Sequence, residues 1–191
     1  MLAAIASATA ATDLDQTIKN LNAAYQGESN AHHRYALFAK KADEEGYPQV
    51  AKLFRATSRA EQIHRDTHRK TIEKLGGNVE EFTLDEVTVF STSDNLKSAI
   101  EGESYERDTM YPEFMARAKK DGSRDAVRTF RFALEAETEH AKLYTDALAN
   151  LGNNSEADYY VCTVCGNTVT LLPQKKCPVC RNKVDKYEKV S

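Results

Sequence analysis

The stretch "AYQGESNAHHRY" (24–35) places a glutamate where a helix should present an apolar side chain. Upstream, apolar residues recur at alternating steps of four and three, the spacing that keeps one helix face against a core: Leu14, Ile18, Leu21 and Tyr25. The next position of that stripe is Glu28. Because an unpaired buried carboxylate is strongly destabilising, either the helical register differs or something inside the protein binds Glu28.

Length and composition describe an ordinary globular chain. It has 191 residues and a net charge of −3, without the basic surplus of a nucleic-acid binder. Mean hydropathy is −0.61, and no apolar run approaches the roughly 20 residues that span a bilayer. Residues 1–11 are small and apolar but lack the basic segment of a secretory signal. We therefore expect a cytoplasmic protein without membrane or nucleic-acid partners.

Helical periodicity divides the first part of the chain into four helices. We place them at about 12–45, with Thr12 or Asp13 as the cap, 48–75, 93–120 and 124–151. The middle connection of some 16 residues can extend roughly 50 Å, whereas a helix of about 28 residues is about 42 Å long. The connection can therefore run the length of the bundle. This pattern predicts an all-α four-helix bundle with one long crossover.

The two hairpins of this bundle repeat each other. "EQIH" (61–64) and "ETEH" (137–140) lie 76 residues apart, and "GES" recurs after 75 residues at 27–29 and 102–104. Each Glu-x-x-His projects a carboxylate and an imidazole from one helix face. At matching levels we expect six side chains to converge: Glu28, Glu61, His64, Glu103, Glu137 and His140. Glu106 has no counterpart in the first hairpin, where Ala31 occupies the equivalent position.

This set predicts a site for two metal ions. One glutamate from each of two helices, plus Glu-x-x-His from the other two, is the ligand set of di-iron and di-manganese carboxylate proteins of the ferritin-like fold. A single Glu-x-x-His usually lies on a solvated face, but two at matched positions of a repeat favour metal. We interpret His32, His33 and His68 as surface or supporting residues. Tyr35 and Tyr111 lie near the inward faces, where a tyrosine is more often core than catalytic.

All four cysteines fall in the last 30 residues, behind the polar linker 152–158. They form two Cys-x2-Cys pairs separated by eleven residues, the spacing of a tetrathiolate metal site: Cys162, Cys165, Cys177 and Cys180. The spacing leaves zinc and iron open. Zinc would be a structural staple, whereas iron in four thiolates carries single electrons. We expect two domains, 1–152 and 153–191, with the second delivering electrons to the first.

Read in order, "GES…HRY", "EQIH", "GESYE…MYPEF", "ETEH" and "CTVCG…CPVC" resemble the rubrerythrin family over essentially the whole chain. The resemblance implies a ferritin-like bundle with a non-haem di-iron site, followed by a small rubredoxin-like β domain holding one iron. It implies reduction of hydrogen peroxide to water in oxidative stress defence, with electrons from a redox protein or an NAD(P)H-dependent reductase. It also implies a head-to-tail homodimer, in which one subunit's rubredoxin-like site serves the other subunit's di-iron site.

The resemblance also assigns the metal ligands. Glu61 and Glu137 would bridge the two irons, whereas Glu28 and Glu103 would be terminal ligands. His140 would bind the second iron. The four cysteines would hold the third iron.

Four residues receive catalytic roles from the resemblance. Glu106 matches a glutamate that exchanges with His64 as the first iron changes oxidation state. A carboxylate suits the ferric ion and a neutral imidazole better suits the ferrous ion, so the exchange can rebalance charge. Tyr35 and Tyr111 match tyrosines that hydrogen-bond around the site.

Two other functions compete with the peroxidase. In the first, the bundle oxidises ferrous iron with oxygen and handles the product, as ferritins do; the cysteine segment and Glu106 argue against it. In the second, zinc fills the cysteine site, the metal pair is structural and the chain is an interaction module. Di-manganese and mixed iron–zinc forms remain open, as does the electron donor.

Overall fold

The computed structural model describes residues 14–191 and confirms the ferritin-like helical bundle. Its helices are α1 (Asp15–Glu44), α2 (Pro48–Lys74), α3 (Thr92–Tyr105), α4 (Tyr111–Lys120) and α5 (Arg124–Ala149). Tight turns join α1 to α2 and α4 to α5, so the bundle consists of two helical hairpins. The predicted cap at Thr12 or Asp13 and the interpretation of residues 1–11 lie outside the described residues.

The long connection 75–91 runs along α1, as predicted. Near the beginning of that helix, Asn22 Nδ2 donates to the Asn78 carbonyl at 3.0 Å. At its middle, Asn30 Nδ2 donates to Asp85 at 2.6 Å. At its end, Glu45 accepts from the backbone N–H of Thr92 at 2.8 Å. These side chains hold the crossover along nearly the whole helix and bring α3 back to pack beside it.

The third rod of the bundle contains a π-helical segment, Glu106–Met110, that the sequence did not predict. Backbone N–H of Tyr111 donates to the carbonyl of Glu106, five residues earlier. The segment joins α3 to α4 and absorbs one extra residue. Glu28 and Glu103 are 75 residues apart, whereas Tyr35 and Tyr111 are 76 apart. The inserted residue thus explains why the repeat changes its offset, and π segments of this kind are frequent at functional sites.

Two apolar clusters fill the bundle on either side of a polar layer. One includes Ala31, Phe54 and Tyr144, and the other includes Ala24 and Phe130. Along α1, Ala24 and Ala31 belong to different clusters, and Glu28 lies between them. The buried glutamates are therefore enclosed by packed side chains above and below, which removes them from water.

A three-stranded antiparallel sheet with strand order β2-β1-β3 forms the C-terminal part: β1 (Tyr159–Cys162), β2 (Thr168–Val169) and β3 (Tyr187–Val190). The linker before it is tied to the bundle, because Gln49 Nε2 donates to the Ala157 carbonyl at 2.9 Å. Arg59 on α2 donates to Glu188 on β3 at 2.5 Å. The domain boundary after residue 152 stays a prediction. In the part of the chain that the structure describes, no helix is long and apolar enough to cross a membrane.

Candidate metal centres

The six side chains predicted from the repeat come together in the polar layer. Their ligand atoms form two groups, each with all atoms within 4.8 Å of one another. The first group is Glu28, Glu61, His64 and Glu137; the second is Glu61, Glu103, Glu137 and His140. Each of these side chains is at most 2% exposed. Glu61 and Glu137 belong to both groups.

Each histidine points its Nδ1 atom at carboxylate oxygens. His64 Nδ1 lies 2.9 Å from Glu61 Oε2 and 3.2 Å from Glu137 Oε1. His140 Nδ1 lies 3.3 Å from Glu61 Oε1 and 2.8 Å from Glu137 Oε2. The two oxygens of each shared glutamate therefore face different histidines. Glu28 Oε1 lies 3.6 Å from the first Nδ1 and Glu103 Oε2 lies 3.3 Å from the second, which completes two similar half-sites.

The polar atoms of this layer fit a pair of cations. Several buried atoms have no hydrogen-bond partner: Glu28 Oε2, Glu61 Oε1, Glu103 Oε2, both oxygens of Glu137 and His140 Nδ1. Leaving so many buried polar atoms unpaired would be very costly. Oxygen and imidazole donors at these separations are the ligands that iron takes in carboxylate sites. The residues present therefore fit a di-iron carboxylate site.

Electrostatics of the metal-free layer follow from crowding of like charges. Burial, and then the charges of Glu137 and Glu61, hold the pKa values of Glu28 and Glu103 well above the usual range. Burial opposes ionisation of His64 and His140 too, but the carboxylates around them outweigh it and raise both pKa values well above normal. Cations would replace these protons in the metal-loaded protein.

A tyrosine holds each outer glutamate. Tyr111 donates a short hydrogen bond to Glu28 Oε1, and Tyr35 donates to Glu103 Oε1 at 2.5 Å. In both glutamates the bonded oxygen is Oε1, and Oε2 is left free to bind a metal ion. Burial raises the pKa of both phenols well above normal, so both remain protonated donors. The two predicted tyrosines thus fix the outer ligands from opposite sides.

Glu106 begins the π segment and belongs to neither ligand group. It is half-buried, and burial together with the charges of Glu137 and Glu103 raises its pKa well above normal. The structure places His64, not Glu106, among the ligands of the first group. Its predicted role as an exchanging ligand stays a prediction.

His68 is a buried residue that the sequence interpretation left as surface or supporting. Its Nε2 lies 3.2 Å from the Tyr111 hydroxyl, and its Nδ1 lies 3.1 Å from Thr129 Oγ1. Burial, and then the charge of His64, lower its pKa to about 3, so its imidazole is neutral. The signal was available, because His68 follows His64 by four residues on the inward face of α2.

The four cysteines form a compact tetrathiolate group, with all four sulfurs within 4.8 Å of one another. Cys162 Sγ lies 3.7 Å from Cys180 Sγ, and Cys165 Sγ lies 3.6 Å from Cys177 Sγ. Metal–sulfur bonds of about 2.3 Å separate tetrahedral sulfurs by about 3.8 Å. All four thiols are free of disulfides. This set therefore fits a rubredoxin-like site for one iron.

The cysteine site lies directly against the carboxylate site. His64 Nε2 lies 3.1 Å from the Cys165 carbonyl, and His140 Nε2 lies 3.0 Å from Thr168 Oγ1. Each histidine thus uses one ring nitrogen toward the carboxylates and the other toward the cysteine domain. Gly166 permits this approach: its φ is +74°, and an added Cβ would lie 2.1 Å from His64 Nε2.

These contacts occur within one chain, which differs from the expected service of one subunit's di-iron site by another subunit's cysteines. The physical reason is the linker. Asn154 Nδ2 donates to the Ala147 carbonyl at 2.9 Å, which turns the chain back toward the bundle soon after α5 ends. The head-to-tail homodimer stays a prediction.

Fold and sites together define a ferritin-like carboxylate protein with an attached rubredoxin-like metal site. A family model described as rubrerythrin matches residues 19–148, and this chain belongs to the rubrerythrin family. Nigerythrin of Nitratidesulfovibrio vulgaris is 35% identical over 92% of this chain and 87% of its own length. Rubrerythrin-2 of Clostridium acetobutylicum is 36% identical over 88% of this chain and 93% of its own.

Solved structures agree with this assignment. A structure of fully reduced, all-ferrous nigerythrin superposes with a TM-score of 0.85 at 34% identity, covering 96% of this chain and 91% of that one. A bacterioferritin of Rhodobacter capsulatus superposes with a TM-score of 0.66 at 22% identity, covering 71% of this chain and 84% of that one. The second likeness concerns the fold of the bundle alone.

Proposed function

We propose that this chain is a non-haem di-iron peroxidase that reduces hydrogen peroxide to water in defence against oxidative stress. Membership of the rubrerythrin family supports an oxidoreductase. The observation that carries the finer proposal is the contact between the two metal sites, with the Cys165 carbonyl 3.1 Å from His64 Nε2. A storage protein needs no inbound electrons, whereas a peroxidase must be reduced again after every turnover.

The ligands are assigned from the two half-sites. Glu61 and Glu137 bridge the two irons, because each directs one oxygen at each histidine. Glu28 completes the half-site of His64, and the other two predicted ligands complete the second half-site. When bound, the irons supply Lewis acidity and the two electrons that cleave peroxide, and the cysteine-bound iron returns electrons singly.

The protein's own groups position these ligands. Tyr111 and Tyr35 fix the outer carboxylates and leave one oxygen of each free. Packed apolar clusters on both sides exclude water, which strengthens every charge interaction inside the layer. Glu106 and His64 act as alternative ligands, and the described arrangement, with His64 inside the group, is what the ferrous half of that exchange requires.

Electrons reach the cysteine site from a redox protein or an NAD(P)H-dependent reductase. Cys180 is the most exposed of the four cysteines, and it lies at the side from which a donor can approach. We further propose that the protein works in the cytoplasm as a homodimer.

Rapid mixing of the fully reduced protein with peroxide and, separately, with oxygen tests the proposal. We expect peroxide to oxidise the di-iron site at least about tenfold faster than oxygen does at equal concentration. A reversed preference would instead favour the iron-oxidising function. The visible spectrum of natively isolated protein tests the cysteine metal, because ferric tetrathiolate absorbs visible light and zinc does not. A colourless cysteine site would refute electron delivery.

A further inference from the structure

The proposed reaction consumes protons at a site that water does not reach. Reduction of hydrogen peroxide to two water molecules takes up two electrons and two protons. The ligand side chains are at most 2% exposed, so protons must arrive through hydrogen-bonded groups of the protein. The inference below rests on the proposed function for its purpose but not for its geometry.

A continuous chain of hydrogen-bonding groups leads outward from Glu28. The Tyr111 hydroxyl bonds to the carboxylate of Glu28, and His68 Nε2 lies 3.2 Å behind that hydroxyl. The opposite ring nitrogen, Nδ1, lies 3.1 Å from Thr129 Oγ1. Thr129 Oγ1 in turn lies 3.2 Å from Thr67 Oγ1. Every link is short enough for a hydrogen bond.

The outer end of this chain opens into a cavity of about 390 Å³ between α2, α5 and the cysteine domain. Both threonines line this cavity. Thr129 and His68 are buried, whereas Thr67 is half-buried and is the member that water can reach. Cys180 also lines the cavity, so the electron carrier and the outer end of the chain share one opening.

We propose that Thr67, Thr129 and His68 form a proton path from this cavity to Tyr111 and Glu28. Each of the inner groups can both donate and accept: hydroxyls do so through one oxygen, and a neutral imidazole does so through its two nitrogens. His68 has the required arrangement, because each of its ring nitrogens faces a hydroxyl.

Transfer along the path conserves protons at every member except its end. In the starting arrangement each hydrogen points inward, from Thr67 toward Glu28. When Thr67 takes a proton from water, each hydroxyl passes on its own proton as it accepts the next. At His68, an Nδ1–H bond forms as the Nε2–H bond breaks, so the ring changes tautomer and stays neutral. Glu28 ends with an O–H bond, and rotation of the hydroxyls with tautomer exchange restores the start.

The equivalent position of the repeat lacks such a path. Tyr144 stands 76 residues after His68 and packs against Tyr35 with ring centroids 5.5 Å apart. Tyr35 also packs against Phe38 and Phe54, and its polar neighbour besides Glu103 is Arg34. A guanidinium cannot give up its proton in a protein and therefore cannot relay one. Only the side of Glu28 has an imidazole behind its tyrosine.

Thr129→Val tests the path, because valine keeps the shape of threonine and removes the hydroxyl. Thr129→Ser keeps the hydroxyl and removes the methyl group. Thr71→Val is the matched control: Thr71 lines the same cavity, but its hydroxyl donates to the Thr67 carbonyl at 2.8 Å and lies outside the path.

The first measurement is exchange of the His68 ring proton with water. It is followed by NMR in protein labelled with ¹⁵N-histidine and loaded with zinc, which is diamagnetic, at both metal sites. We expect Thr129→Val to slow this exchange at least about tenfold, and the serine variant and Thr71→Val to leave it within about twofold of wild type. This readout does not depend on peroxide chemistry.

The second measurement is peroxide turnover of the iron-loaded variants with saturating electron donor, in H₂O and D₂O. We expect Thr129→Val to be slower and to show a larger solvent isotope effect, with Thr129→Ser and Thr71→Val close to wild type. Equal behaviour of Thr129→Val and Thr71→Val would overturn the path, as would equal loss in the valine and serine variants. A wild-type protein that did not reduce peroxide would refute the proposed function, while ring-proton exchange would still test the path.

Discussion

Replacing Gly166 with alanine should separate the cysteine site from the carboxylate site by a distance that the structure defines. The new Cβ would lie 2.1 Å from His64 Nε2, whereas ordinary van der Waals contact begins at about 3.4 Å. The loop must therefore withdraw by about 1.3 Å. The 3.1 Å separation between His64 Nε2 and the Cys165 carbonyl would then grow beyond hydrogen-bond range.

Two costs follow, and a control separates them. Alanine at a φ of +74° costs about 1–2 kcal/mol of stability. Loss of the hydrogen bond at a buried imidazole costs about 1–3 kcal/mol more. Gly122 has the same φ of +74° but no atom within 4 Å of an added Cβ, so Gly122→Ala should show only the first cost.

The assay compares the two variants by calorimetric unfolding and by two kinetic measurements. Turnover driven by an external electron donor should fall sharply in Gly166→Ala, because the electron path through the Cys165 carbonyl is interrupted. Single turnover of the chemically reduced protein with peroxide should change little. Gly122→Ala should match wild type in both kinetic measurements. If Gly166→Ala behaved like Gly122→Ala throughout, the contact between the two sites would have no role in electron delivery.

Four further outcomes are expected. Cys162→Ser should abolish donor-driven turnover but keep single turnover with peroxide; unchanged steady-state turnover would exclude the electron relay. Glu137→Ala should bind neither iron tightly, and metal analysis showing two irons per bundle at wild-type affinity would refute its bridging role. Glu106→Ala should raise the reduction potential of the di-iron centre and His64→Ala should lower it; a redox titration with shifts of one sign would exclude ligand exchange. In metal-free protein, the folded pKa of Glu28 exceeds its unfolded value of about 4.5, so stability should fall as pH rises above that value; a melting temperature that rose between about pH 5 and about pH 8 would contradict this.

Helix positions could be predicted because each helix carries a long apolar stripe with clear stop signals. Pro48 begins α2 as expected, and the turn around Gly122 ends α4. The crossover followed from its length alone. The π segment was missed because its sequence, beginning at Glu106, has no distinctive composition. Its one available trace was the change of the repeat offset from 75 to 76, which is a relation between distant segments.

Ligand identities could be predicted because a buried carboxylate is exceptional on an apolar stripe. Glu28 interrupts such a stripe, and Glu-x-x-His recurs at matched positions. Contacts between the two parts of the chain could not be predicted in the same way. The approach of Gly166 to His64 joins residues about a hundred positions apart, and no local pattern records it. His68 was misjudged because a lone histidine on an inward face gives no sign of what lies opposite it.

Departures from the repeat give the metal site its direction. A symmetric set of six ligands holds two ions in nearly equivalent places, with a tyrosine behind each outer carboxylate. Peroxide reduction needs inequivalent sides, because electrons, protons and peroxide must meet without exchanging paths. The sequence breaks symmetry at two positions beside the ligands: Glu106 stands where the first hairpin has Ala31, and His68 stands where the second has Tyr144. The first adds a carboxylate next to ligands that are otherwise duplicated, and the second replaces a phenol with an imidazole that can pass a proton. Both changes leave the duplicated ligand set intact, so metal binding and the direction of the reaction can be altered by separate substitutions.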